Sequence, residues 1–565
     1  MFDSKKKQLF EVEKKTSVMT KDPFLRGAIA TNTILSENGS EKLKSTGTDF
    51  VDQFASASKY RTPREYSEIS KDMEMLWSQN PLLTLKLLVY FRLITRVCRF
   101  PDSTSTKTTQ RGQGLKHESI MRMLWLIVNH PEVFIKNVTV FISAGSWKDL
   151  ITMMQYDAMY NGEDHSFDWR ILIEVIAKGL ENPNTSHLVR KYLPTIRAKS
   201  KCKTVEAQAD NLVAKAICRQ LFGSKSSEKS GHTYKLYRKL KAQGEAHEWQ
   251  QAISQRAFTS INFDTIPGKA LQLLVNSKFL ENQGLEVKYE EWLANKPVAK
   301  YTGYVYELFS PFENKNSYDV KEYQKNTVNA QFKQLIAVAS KDMKEGENGL
   351  ICVLDSSGSM SGTLTGTNTS AYTIAKTMTL FFSELLKGRF YNHYFEFSNA
   401  TEHRQFKGST PWEKYHSNNS RITANTNFVS VADKFVQILK TGVMEEEFPS
   451  GMLCLSDGEF DNPYSNNNNK AVAAFRETLL KGGFSKKFVN DFKIILWDIP
   501  NGYYGKSTPK FEELADSPNT IHIGGLDGSI VTFLLGNEIS HKAPSTSEEL
   551  FEAAMGQEIL AYLNI

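Results

Sequence analysis

Five side chains carry the chemistry that this sequence can do. Asp355, Ser357 and Ser359 stand in D-S-S-G-S, directly after the apolar run GLICVL. Asp457 stands in L-S-D-G-E-F after a second such run, and Thr426 lies between them in A-N-T-N-F. Three hydroxyls and two carboxylates are hard oxygen donors. They suit Mg²⁺, with Mn²⁺ the other ion that fits, rather than zinc. Mg²⁺ is octahedral and keeps several waters, so two protein carboxylates leave a coordination position for an acid from a partner.

The flanking pattern says how these residues are held. From Gly349 onward, continuous apolar runs alternate with amphipathic stretches. GLICVLD, HYFEFS, HRQFKG, GMLCLSD, FKIILWDI and NTIHIGG read as strands. TSAYTIAKTMTLFFSELLKG, residues 429–439, the stretch after SNNNN and the stretch from Ser529 read as helices. Strands apolar on both faces and separated by helices predict a doubly wound, largely parallel sheet. In such sheets ligands gather at the carboxyl ends of strands, where Asp355 and Asp457 fall.

D-x-S-x-S after the first strand, a central Thr and S-D-G after the fourth strand resemble the metal-ion-dependent adhesion site of von Willebrand factor A domains. Asp355, Ser357, Ser359, Thr426 and Asp457 match its five positions, and the resemblance covers about residues 348–540. It implies that the two serines and the threonine touch the metal, and that the aspartates bind it directly or through water. Some members of that family keep the motif without needing the metal. The alternative is an ordinary strand-end loop that needs small residues for a tight turn.

The preceding 300 residues read as helical. Apolar residues recur three and four apart over 73–77, 82–97, 120–128 and 133–142. SQNPLLTLKLL, VNHPEVFIKNV and LENPNTSHLVR each place Asn shortly before Pro81, Pro131 and Pro183, spaced by 50 and 52 residues. Asn caps helices and Pro is tolerated in a first turn. A period near 50 fits a HEAT-like α-solenoid, although three independent helix starts in an irregular bundle give the same pattern. Residues 1–45 read as poorly ordered. The segments 101–115 and 223–232 read as surface loops, and 320–343 as a helix at the join.

A helical repeat followed by an A domain resembles the Ro autoantigen family with its TROVE module. It resembles more closely a poorly characterised TROVE-like family of plants and large DNA viruses. The stretches that carry this are ESIMRMLWLIVNHPEVFIKNVTVFISAGSWKDLITMM, TYKLYRKLKA, LSDGEFD and FKIILWDIP. The resemblance implies a helical region, in that family a ring, that binds single-stranded and structured RNA.

Charge adds an independent argument. Residues 1–350 hold 51 Lys+Arg against 39 Asp+Glu, a net +12, and residues 351–565 hold 18 against 24, a net −6. Three basic clusters lie in the first part. Arg197, Lys199, Lys201 and Lys203 form one. Lys235, Arg238, Lys239 and Lys241 form another, interleaved with Tyr234 and Tyr237. Arg92, Arg96 and Arg99 form the third. Lys and Arg bind phosphate and aromatic rings stack on unpaired bases, though a solvated helix face has the same composition.

Other readings fare worse. GYYGKST lacks the spacing of a phosphate-binding loop, and no G-x-S-x-G surrounds Ser357. His393, His403 and His416 are scattered, and Glu459 and Asp461 alone would argue for a metal nuclease. Five cysteines without a CxxC pair favour a reducing, cytoplasmic setting, and no run is long and apolar enough to cross a membrane.

The chain is therefore expected to combine a poorly ordered segment (1–45), a helical repeat (46–345), a von Willebrand A domain (346–545) and a C-terminal helix (546–565) that packs back on the helical part. The expected function is non-enzymatic RNA binding, with an Mg²⁺ site that recruits a protein through its carboxylate. The alternative is a protein scaffold or viral assembly component that uses the same metal site without RNA.

Overall fold

Asn80 marks a joint between two helices. Its side-chain oxygen accepts from Leu83 N at 3.0 Å, and Pro81 occupies the first turn. The chain thus passes from α1 (Tyr66–Gln79) to α2 (Pro81–Arg92) with its end groups satisfied. The computed structural model describes residues 33–35, 41–43, 48–98, 108–223, 230–244, 248–296, 300–301, 303–341, 349–364, 369–417, 427–457, 471–499, 511–512, 519–526 and 546–565.

These residues fall into two compact units. One comprises Pro63–Thr265 with Glu558–Ile565. The other comprises Ile266–Gln557 with the described part of Met19–Thr62.

In the first unit α2 stops earlier than the apolar spacing predicts. Ile94, Thr95 and Val97 are β-branched, and Ile94–Cys98 forms strand β1, paired antiparallel with β2 (Thr108–Gln113). This corrects the surface loop expected over 101–115 at 108–113, while 101–107 lie outside the described residues. Gln110 and Gln113 in β2 are buried because each has a partner. Gln110 Oε1 accepts from Ile559 N at 3.2 Å, and Gln113 Nε2 donates to the Tyr90 hydroxyl at 3.0 Å.

Helices α3 (Lys116–Asn129), α4 (Pro131–Ala144), α5 (Trp147–Asn161), α6 (Arg170–Glu181), α7 (Ser186–Tyr192), α8 (Val205–Phe222) and α9 (Ser230–Ala242) follow. Pro81 and Pro131 do open helices. Pro183 does not, because Asn182 caps the end of α6 and α7 begins only at Ser186. The 50-residue period therefore rests on two helix starts.

Gly179 in α6 passes over the Trp147 ring. A Cβ at this position would lie 2.4 Å from Trp147 Cη2. Gly→Ala in a helix interior ordinarily stabilises by about 1 kcal/mol. Here Gly179→Ala is expected to destabilise by roughly 1–3 kcal/mol through overpacking, read as a lower melting temperature.

The C-terminal segment docks in this first unit. Asn137, fully buried on α4, donates from Nδ2 to Asn564 O at 2.6 Å and accepts at Oδ1 from Asn564 N at 2.8 Å. Where the sequence predicts one helix over 546–563, the chain forms two, Ser547–Met555 and Glu558–Ala561, and only the second groups with this unit.

The second unit starts earlier than residue 346. Its helices include α10 (Gly268–Asn276), α11 (Glu286–Ala294) and α12 (Glu322–Lys341), read from sequence as helical repeat or join. Gln324 of α12 donates to Val275 O of α10 at 3.0 Å and Thr327 of α12 meets the Tyr289 hydroxyl of α11 at 2.7 Å, and α12 is tied to the sheet domain in turn. Phe309 stacks on Tyr415 at 4.5 Å, Phe332 meets Phe381 edge-on at 6.2 Å, and Asn329 Oδ1 accepts from Trp412 N at 2.8 Å.

The sheet comprises β3 (Leu350–Asp355), β4 (His393–Phe397), β5 (Thr401–Gln405), β6 (Gly451–Ser456), β7 (Lys493–Asp498) and β8 (Thr520–Gly524). Its order is β8-β7-β6-β3-β4-β5, parallel except for the β5 edge. One face buries Val353, Phe395 and Met452 under Phe435 of helix α14 (Ser430–Leu439) and Phe475 of α15 (Ala471–Lys481). Helix α13 (Ala371–Ser383), buried along nearly its whole length, packs on β3. Within the segment expected to be poorly ordered, Thr33–Leu35 and Glu41–Leu43 form two short strands that pair antiparallel, the second also with Phe511–Glu512. A helix at Asp49–Ala55 sets Phe54 edge-on to Phe551, 5.5 Å away. The helix expected from Ser529 lies outside the described residues.

Candidate metal centre and basic surfaces

The strand order decides what Asp355 meets. The chain moves outward from β3 to β4 and β5, then returns to β6 on the other side of β3. The β3/β6 boundary is thus a topological switch point, where flanking connections diverge and leave a crevice. The register pairs Leu354 with Leu455, which sets Asp355 beside Ser456 and Asp457 at the carboxyl edge.

Asp355 is held from both sides. Its Oδ1 accepts from Ser357 N at 2.8 Å, and its Oδ2 accepts from the Ser456 hydroxyl at 2.5 Å. The Ser357 and Ser359 hydroxyls lie 3.1 Å apart. Ser356 ties the loop to β4, donating to Phe397 O from its N at 3.0 Å and its hydroxyl at 3.2 Å. Asp355, Ser357 and Asp457 are buried, while Ser359 is half-buried. Burial first, and the Asp457 carboxylate second, push the Asp355 carboxyl up to about 7. A dication beside two such carboxylates inverts that logic, so the donor set fits a hard divalent ion.

Four of the five expected ligands thus come together across strands far apart in sequence. Thr426 lies outside the described residues, as do Glu459, Asp461 and the GYYGKST segment. Among the described residues no group of three or more His, Cys, Asp or Glu converges, so the oxygen set there relies on hydroxyls. Sequence reasoning passed over Ser456 and Ser356. Their signal was a hydroxyl next to the acid at each strand end. Asp498, paired with Ser456 at the end of β7, sits on the same sheet edge.

The histidines are not all scattered. The antiparallel β4–β5 pairing brings His393 Nδ1 to 2.9 Å from His403 Nε2. The described cysteines, Cys202, Cys218, Cys352 and Cys454, are buried and in no disulfide.

The two main basic clusters both belong to the first unit. Lys201 and Lys203 are exposed, and so is Arg197, which reaches Asp210 at 3.5 Å. Along α9, Lys235, Arg238 and Lys239 are exposed. Lys241 and Tyr237 turn inward instead. Lys241 Nζ donates to Leu193 O, and the Tyr237 hydroxyl donates to Pro194 O at 2.9 Å. Burial lowers the Lys241 pKa; Asp210 opposes this shift, and the positive charge of Arg197 adds to it. Tyr237 is fully buried and offers no ring to a base; this corrects its reading as an interleaved aromatic, while Tyr234 stays half-exposed. Arg92 is engaged as well, at 2.7 Å from Asp149. The Lys199 and Arg96 side chains and all of Arg99 lie outside the described residues. No helix among the described residues is long and apolar enough to cross a membrane.

Two family models match the chain. Both describe a domain of unknown function: DUF2828 over residues 36–265 and DUF7788 over residues 349–558. The first match ends where the first unit ends, at Thr265. No curated protein matches the chain.

Proposed function

We propose that this is a Ro-like RNA-binding protein, built from a TROVE-like helical repeat and a von Willebrand A domain. In this reading Asp355, Ser357, Ser359, Thr426 and Asp457 hold Mg²⁺ or Mn²⁺, and the ion takes a carboxylate from a protein partner. The observation that carries it is the buried Asp355–Asp457 pair at the β3/β6 switch point, ringed by serine hydroxyls. The protein does no chemistry of its own in this account and works in the cytoplasm, which buried cysteines outside any disulfide suit. RNA lies along the exposed cations Arg197, Lys201, Lys203, Lys235, Arg238 and Lys239, with Lys199 continuing the first cluster.

One observation favours the scaffold alternative. Tyr237 and Lys241 are spent on the protein's own backbone, and Arg197 has Asp210 as a partner. The scaffold keeps the metal site and dispenses with RNA.

The test is binding of a labelled RNA with single-stranded ends at two salt concentrations. The triple variant Lys235→Glu/Arg238→Glu/Lys239→Glu is expected to bind at least tenfold more weakly, with a salt slope shallower by up to about 3. No RNA binding by the unaltered protein at low salt leaves the scaffold reading standing alone.

A further inference from the structure

We infer that a cavity between α6 and the end of α8 binds a nucleoside 5′-phosphate group, as a free nucleotide or as one residue of an RNA. In its RNA form this rests on the reading above.

The cavity measures about 540 Å³ and is lined by His165, Trp169, Arg170, Ile173, Arg219 and Gln220, among others. That volume lies within the range of small-ligand pockets. Its wall is built in advance by Asp157, a buried carboxylate. Asp157 accepts from Trp169 Nε1 at 2.7 Å, Ser166 Oγ at 2.5 Å and Asn161 Nδ2 at 2.7 Å. The loop before α6 is thereby pinned at Ser166 and Trp169. His165 stacks on Trp169 with ring centroids 3.7 Å apart and an angle of 23°. Its Nδ1 lies 3.8 Å from Asp157 Oδ2. The imidazole is therefore a fixed, partly exposed flat surface backed by an indole.

The charge on the rim is uneven. Arg170 is neutralised by Asp168 at 2.6 Å. Arg219 is exposed and pairs with no carboxylate among the described residues. One flat aromatic face, one unpaired guanidinium and one amide, Gln220, share a single cavity. A ligand that uses all three has a π-face, hydrogen-bonding edges and an attached anion. A nucleobase stacks on such a face, and a guanidinium engages its phosphate. An apolar ligand would leave Arg219 unused, and inorganic phosphate would leave His165 unused.

The test uses the full chain with adenosine 5′-monophosphate, adenosine and ribose 5-phosphate as separate probes in equilibrium dialysis. The monophosphate is expected to bind at least tenfold more tightly than either fragment. Arg219→Glu is expected to weaken it by at least tenfold, and His165→Ala by roughly tenfold. Arg219 is exposed, so that variant leaves the fold intact, and Arg219→Lys should retain part of the affinity. No saturable binding of the monophosphate at millimolar concentration overturns the inference, as does equal binding by Arg219→Glu. Adenosine 5′-monophosphate competing with RNA identifies RNA as the source of the group. Arg219-dependent binding of the monophosphate that leaves bound RNA undisturbed identifies a free nucleotide. Nucleotide binding without any RNA binding upholds the cavity and overturns the RNA reading alone.

Discussion

Asp355→Asn is expected to raise the melting temperature of the metal-free protein and to erase its response to Mg²⁺. Asparagine is nearly isosteric. Its oxygen accepts from Ser357 N, and its amide donates to the Ser456 hydroxyl, which now accepts. What disappears is a buried charge facing Asp457. The sign follows from the direction of the shift. The folded-state carboxyl titrates at about 7 against the ordinary 3.8, so the unfolded chain ionises first. Stability of the metal-free protein therefore falls as pH rises from about 4 to about 7, and the penalty stays in full above that. Near pH 8 it is on the order of a few kcal/mol, which for a domain of this size is roughly 5–10 °C. If the proposed site binds it, millimolar Mg²⁺ is expected to supply the missing positive charge and to raise the melting temperature of the unaltered protein by mass action. Thermal scans from pH 5 to 8 with EDTA or Mg²⁺ measure both effects. An Asp355→Asn protein that melts lower than the parent in EDTA would sink the buried-charge account, and a parent indifferent to Mg²⁺ would falsify the metal assignment.

The second large effect lies in the other unit. Glu118 and Arg122 are both fully buried on α3 and joined at 2.8 Å. Arg64 reaches the same carboxylate at 2.6 Å and Asp72 at 2.8 Å. Burial pushes the Glu118 pKa up, yet the two guanidiniums more than offset it and hold it below the ordinary glutamate value. Glu118→Leu leaves Arg122 buried with Asp72 at 3.9 Å, while Arg64 keeps Asp72 as a partner. The expected cost is about 3–5 kcal/mol. Adding Arg122→Met removes the stranded charge and should recover much of the loss, since Arg122 already sits 5.0 Å over Phe91 and within reach of Met73 Sδ. Differential scanning calorimetry of the two single variants and the double variant reads this directly. A double variant as unstable as the sum of the singles shows that the pair is not coupled. In the parent protein the stability due to Glu118 is lost as pH falls below the ordinary glutamate range, opposite in direction to Asp355.

Much of the sheet was legible because strand formation follows local pattern. All the apolar runs but HRQFKG became strands within a residue or two, HRQFKG being replaced by Thr401–Gln405, and an acid stood at the end of β3 and just after β6. The helical part was legible where a cap and a period coincided, as at Asn80–Pro81, and failed at Pro183, where a turn intervened. The polar segment that became β2 carried no such signal. Its glutamines are buried because Tyr90 and Ile559 complete their hydrogen bonds, and Ile559 is 449 residues away from Gln110.

The identity of the candidate ligands was set by the sequence alone. Residue type determines donor hardness, and strand periodicity determines which residues reach a sheet edge. Tertiary structure decided their neighbours. Ser456 reaches Asp355 across 101 residues only because β6 inserts beside β3. The antiparallel return of β5 brings His403 to His393. The inward turn of Tyr237 removes a ring that the α9 sequence offered to RNA. Propensity and amphipathic period act over a few residues, whereas strand order, helix rotation and the boundary at Thr265 minimise the free energy of the whole packed unit and leave no local trace.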